Sequence, residues 1–129
     1  MGLLDIIKKY KSSIFWFFNL GLDIGITKYI LDKYPSSIAM EGNLIIKYLY
    51  NYIGSDAVYI TLPLSIAMYL ILRSFTRVNR DFLKRALGYA HMAGWLSWVD
   101  INLAYIPLVV GFADALTTLK DKRNKNNYG

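Results

Sequence analysis

Cysteine is absent from this 129-residue chain, which removes disulfides, thiolate nucleophiles, zinc–cysteine sites and iron–sulfur clusters together. Histidine occurs once, at His91, and one imidazole among scattered carboxylates is not a zinc-binding set. Charge is scarce as well. Only 19% of the residues are Asp, Glu, Lys or Arg, where a soluble domain usually carries about a quarter. Proline appears three times, and the sequence predicts a break at Pro35 and kinks at Pro63 and Pro107. No glycine-rich phosphate loop is present, and Ser12, Ser13, Ser65 and Ser97 lack both a Gly-x-Ser-x-Gly context and an evident base. The expectation is therefore no catalytic residue, no metal and no cofactor.

What the chain does have is apolar length. It is 55% hydrophobic and 16% aromatic, with a mean hydropathy of +0.29. The stretch from Ser13 to Leu31 would span about 28 Å as a helix, close to the thickness of a hydrocarbon core. Residues 57–72 form a second such stretch, with Thr61 and Ser65 flanking Pro63. The block 86–119 is too long for one span and reads as a tight helical hairpin, 86–99 and 101–119. Between these, 44–53 is too short to cross and suits an interfacial or re-entrant helix, with Gly54 as a break. Residues 1–12 and 73–85 place apolar side chains on one helical face and basic ones on the other, as helices lying on a membrane surface do.

The predicted fold is an all-α integral membrane protein with three to four embedded helices plus interfacial amphipathic helices. It forms one multi-span domain over 1–119, followed by a charged, disordered tail at 120–129. The net charge of +6 comes from basic residues that flank apolar blocks and do not interleave with aromatic readout positions. Membrane topology explains that pattern, and nucleic acid is not an expected partner. Lys8, Lys9 and Lys11 place the N-terminus in the cytoplasm, as do the basic residues of 73–85 for their own segment.

The first span is not uniformly apolar. Asn19, Asp23 and Thr27 recur at i, i+4, i+8 and line one side of the helix. A carboxylate at that depth costs on the order of 3 kcal/mol, so Asp23 is either functional or held by partners. Gly21 and Gly25 form a Gly-x-x-x-Gly pair on the opposite side, a groove for a neighbouring helix. His91, Trp95, Trp98 and Asn102 share one face of the last block. Glu41 and Asn43 lie at a membrane boundary, where they either cap a helix in solvent or fold back toward Asn19 and Asp23.

The pattern Asn19-x-x-x-Asp23-x-x-x-Thr27 followed by Glu41-x-Asn43 resembles a family of small prokaryotic multi-span membrane proteins of unassigned activity. In that family an Asn/Asp/Thr first helix precedes a Glu-x-Asn-Pro turn, and a later span ends near an asparagine, here Asn102. The resemblance covers residues 14–102. This chain departs from it with Leu44 at the usual proline and a longer loop before Glu41. The resemblance implies a polar intramembrane cluster of Asn19, Asp23, Thr27, Glu41, Asn43 and Asn102, to which His91 is added from its helical face. It implies no reaction. The expected role is a structural or accessory subunit whose partners are the lipid bilayer and either further copies or a larger membrane complex. The alternative is an ion- or proton-handling oligomer built around Asp23.

Overall fold

Each break in the sequence ends a helix, and every regular element in the computed structural model is helical. The structure describes the backbone of residues 2–128 and the side chains of residues 2–117; the expected disordered tail at 120–129 concerns chain beyond the described side chains. Helix α1, Leu3–Lys33, is one uninterrupted rod of about 46 Å. The expected surface helix and first span are therefore a single element. It stops at Tyr34 because the following Pro35 disfavours helical backbone at the residue before it. Its last turns are tied down by Lys28, whose ammonium lies 2.9 Å from Asp32 and 3.3 Å from Asp56. The Ser55 hydroxyl also donates to Asp32.

A 3-10 turn over Pro35–Met40 leads to α2, Leu44–Ile53. Asn43 caps α2 by accepting from the amides of Ile45 and Ile46, at 3.0 and 3.4 Å. Gly54 then ends α2 at φ +65°, a conformation most side chains resist. A second 3-10 stretch, Gly54–Ile60, feeds α3, Thr61–Phe75. Pro63 therefore sits in the first turn of α3, where its missing N–H costs nothing, and it makes no mid-span kink. The same holds for Pro107, which lies in the first turn of α5.

Residues 73–85 differ from the expected surface helix. Helix α3 continues to Phe75, four residues carry no regular structure, and Asn79 caps α4, Arg80–Val99, from the Asp81 amide. Val78 and Phe82 pack against the core at this point, while Phe75 stays exposed. The break expected near residue 100 is present. Asp100 is extended, a 3-10 turn spans Ile101–Ala104, and α5 runs Tyr105–Tyr128.

The packing gives the direction of each helix. Ser12 meets Arg85, Phe15 meets Gly88, and Thr27 meets Trp98, so α1 and α4 run parallel. Helix α3 runs against both: Leu31 packs with Ala57 and Val58, Trp16 with Tyr69, and Tyr69 with Leu83. Helix α5 runs against α4, through Tyr89 with Gly111 and Arg85 with Asp114. The beginning of α1, the α3–α4 connection and Asp114 thus share one end of the bundle.

The buried core is small and divides into two clusters, one around Leu31, Ile46, Ala57 and Val58, the other around Trp16, Tyr69 and Leu83. Many large apolar side chains, including Phe18, Leu70, Val109 and Phe112, face outward. Two helical stretches, Leu3–Lys33 and Leu44–Phe75, are long and apolar enough to cross a membrane.

Candidate functional site

The polar stripe of α1 is answered, residue by residue, from α4. The Trp95 indole donates to Asn19 Oδ1 at 3.1 Å, and the Trp98 indole donates to Thr27 Oγ1 at 2.9 Å. Between them His91 Nδ1 lies 2.8 Å from Asp23 Oδ2. Asn19 closes its remaining valence by donating to the Phe15 carbonyl at 2.9 Å. Asn19 and Thr27 are buried, so each would cost free energy if left unpaired. The structure joins the stripe predicted on α1 to His91, Trp95 and Trp98 of the predicted second face, but not to Asn102.

His91 also reaches α3. Its Nε2 lies 2.8 Å from Ser65 Oγ, and the Trp16 indole donates to the same oxygen at 2.9 Å. An indole N–H can only donate, so the direction Trp16 → Ser65 → His91 → Asp23 gives every hydrogen in the row an acceptor. In that assignment, inferred from the network, His91 carries its proton on Nδ1. Ser65 does have a base, contrary to the sequence reading. Its neighbours are not those of a nucleophile, however. The Ser65 side chain is buried, its oxygen is occupied by Trp16, and it is not among the residues lining the adjacent cavity. The connectivity of an acyl-transfer triad is present without a path for a carbonyl to Ser65.

That cavity, of about 620 Å³, lies beside the Asp23–His91 pair. Asp23, Thr27, Glu41, Asn43 and His91 all line it, so five of the seven expected cluster residues share one space. Thr61, Ser97, Trp98 and Asp100 complete its polar wall, and Ile46 and Val58 supply apolar surface. Asp23 and His91 are only 18% and 13% exposed, whereas Asp100 lies open to solvent. Glu41 accepts from the Asn43 amide at 2.9 Å, so the loop both caps α2 and folds back over the cavity.

Two expected members are elsewhere. Asn19 is buried against Trp95, off the cavity. Asn102 lies past the end of α4, exposed, with its amide donating to Asp100 Oδ1 at 2.9 Å. The glycines of close approach also differ from those predicted. A Cβ on Gly21 or Gly25 would meet nothing within 4 Å, whereas one on Gly94 would fall 2.9 Å from Asp23 Oδ1. Gly94 is therefore what allows the Asp23 carboxylate to lie against α4. The signal for Ser65 and Thr61 was their i, i+4 spacing on α3, which marks a polar face but does not identify its partner.

Among the described residues, no group of three or more His, Cys, Asp or Glu side chains is placed to hold a metal ion. The chain matches no family model, no curated protein and no solved structure.

Proposed function

We propose that this chain is a multi-pass membrane protein that holds and hands on a proton or small cation at the Asp23–His91 pair. The observation that carries this reading is the pair's position: hydrogen-bonded across α1 and α4, yet bordering a cavity with Glu41 in its wall. A purely structural pair gains nothing from facing free space, while a transferring group needs both a fixed partner and access. Membrane embedding is supported by the outward-facing apolar side chains and by the two crossing-length stretches. With four passes, Lys8, Lys9, Lys11, Arg73, Arg77, Arg80 and Lys84 fall at one end, which the positive-inside rule assigns to the cytoplasm.

The absence of native cysteine makes that orientation directly testable. Single-cysteine variants at Lys9 and Arg77 should react with an impermeant maleimide from the same side of sealed vesicles. One at Met40 should react from the other side. Labelling of all three from one side would overturn the four-pass arrangement.

Transfer is tested in vesicles containing purified protein and a trapped pH indicator, under a potassium diffusion potential. Wild-type protein should dissipate the imposed gradient, and Asp23→Asn should slow it at least tenfold. Wild-type vesicles no faster than empty ones would sink the reading.

A second reading, an accessory subunit, is favoured by the open Gly21/Gly25 face, which nothing among the described residues approaches within 4 Å of an added Cβ. Under it, native mass spectrometry in mild detergent should show an oligomer or complex that Gly25→Leu dissociates. Persistence of the assembly in Gly25→Leu would remove the groove from consideration.

A further inference from the structure

The cavity's electrostatics are opposite to those of the chain. The sequence carries 15 Lys and Arg against 9 Asp and Glu, yet three of those nine acids, Asp23, Glu41 and Asp100, line the cavity. No lysine or arginine is among the lining residues. The nearby Lys28 is engaged with Asp32 and Asp56, and Lys47 donates to the Ala39 carbonyl at 3.1 Å. A space walled this way raises the local concentration of cations.

A second feature points to a ligand independently of charge. Thr61 is 9% exposed and lines the cavity, and its hydroxyl has no hydrogen-bond partner among the described residues. No fully buried side-chain oxygen in the described structure is unpaired, so the Thr61 hydroxyl must reach the open space of the cavity. A nearly buried hydroxyl left without a partner in the protein is an acceptor waiting for a donor. Asp23 offers a second, because His91 engages only its Oδ2 and Oδ1 remains.

Size and dispersion select the kind of cation. A bare metal ion needs several ligands converging on one point, and no three of these acidic or imidazole side chains do so. A volume of about 620 Å³ falls in the range of small-molecule pockets, about 300–1,000 Å³. Part of its wall is apolar, from Ile46, Val58 and Trp98, and an indole face attracts ammonium groups. We propose that the cavity binds a small organic cation bearing a protonated amine. Its ammonium donates to Asp23 Oδ1 and Thr61 Oγ1, its alkyl part rests on Ile46, Val58 and Trp98, and Glu41 and Asp100 attract it at the mouth. This proposal deepens the cation-handling reading and rests on it.

The test is equilibrium binding of radiolabelled butylammonium to the full chain in nanodiscs, with sodium and magnesium as competitors. Saturable binding near one per chain is expected, with sodium and magnesium competing weakly. Asp23→Asn should weaken it at least tenfold and the near-isosteric Thr61→Val roughly threefold. Phe112→Ala, at an outward-facing side chain off the cavity, should leave it unchanged. Equal binding by wild type and Asp23→Asn would overturn the site, as would complete displacement by millimolar sodium. Transfer by the same purified protein, reconstituted into sealed vesicles, separates the two ideas. Proton transfer without butylammonium binding would overturn the ligand class and leave the cation-handling reading standing. Absence of both would overturn both.

Discussion

Valine in place of Gly88 should lower the stability of the bundle by about 3 kcal/mol, read as a large fall in thermal midpoint in mild detergent. A Cβ at this position would lie 2.5 Å from Phe15 Cδ1 and 3.3 Å from the Trp16 Cα. A phenyl ring can turn aside, but the backbone of α1 has no such freedom. Phe15 is also held edge-on against Tyr89, with ring centroids 4.8 Å apart. The two parallel helices must separate, and separation strains the Trp95–Asn19, His91–Asp23 and Trp98–Thr27 hydrogen bonds together. Gly21→Val is the matched control. Nothing lies within 4 Å of its Cβ, and valine is a slightly better helix former than glycine, so it should change stability by less than about 0.5 kcal/mol. Equal losses in the two variants would show that α1 does not pack on α4 through Gly88.

The second large effect concerns the pair at the cavity floor. His91→Leu strands Asp23 Oδ2 and the Ser65 hydroxyl at once, and should cost about 3 kcal/mol. Asp23→Leu strands His91 Nδ1 and should cost nearly as much. The double variant replaces both partners by apolar groups, and such replacement is often close to neutral. Because the Ser65 hydroxyl still loses its acceptor, the combined loss should be no larger than one single loss, about 3 kcal/mol short of the sum of the two. Additive losses would mean that the two side chains do not interact in the folded protein. Transfer across vesicles should be absent in all three variants, including the double one, which loses no more stability than a single variant. That result would separate the pair's role in holding helices from its role in handing on a proton.

The helical class and the polar faces were legible because periodicity reports which side chains share a side. Asn19, Asp23 and Thr27 declared themselves as one stripe, and His91, Trp95 and Trp98 as another. That the two stripes meet was not legible. The helices carrying them are neither adjacent in sequence nor antiparallel, and spacing within a helix carries no information about its partner. Which glycines bring the chain's own helices together was not legible for a related reason. The Gly-x-x-x-Gly spacing is one way to present a flat face, but Gly88, Gly94 and Gly111 provide the contacts here without that spacing. Pro63 and Pro107 looked like kinks because the apolar runs around them extend in both directions. Helical hydrogen bonding in fact begins just before each of them, so both occupy first turns. Ser65 was set aside for want of a base, and its base comes from a residue 26 positions further along.

The parallel pairing of α1 with α4 has a consequence for how the chain is made. The imidazole that meets Asp23 is synthesised 68 residues after it. At about 5–20 residues per second, roughly 3–14 s separate the two. Throughout that interval, an α1 released into lipid would carry Asn19, Asp23 and Thr27 without their α4 partners. Ser65, the linking hydroxyl, arrives partway through but has no histidine to join. The first helix thus stays unsatisfied until the fourth has been made. In the membrane reading proposed above, retention of α1 beside the insertion machinery until α4 emerges is the step on which the yield of folded protein should depend.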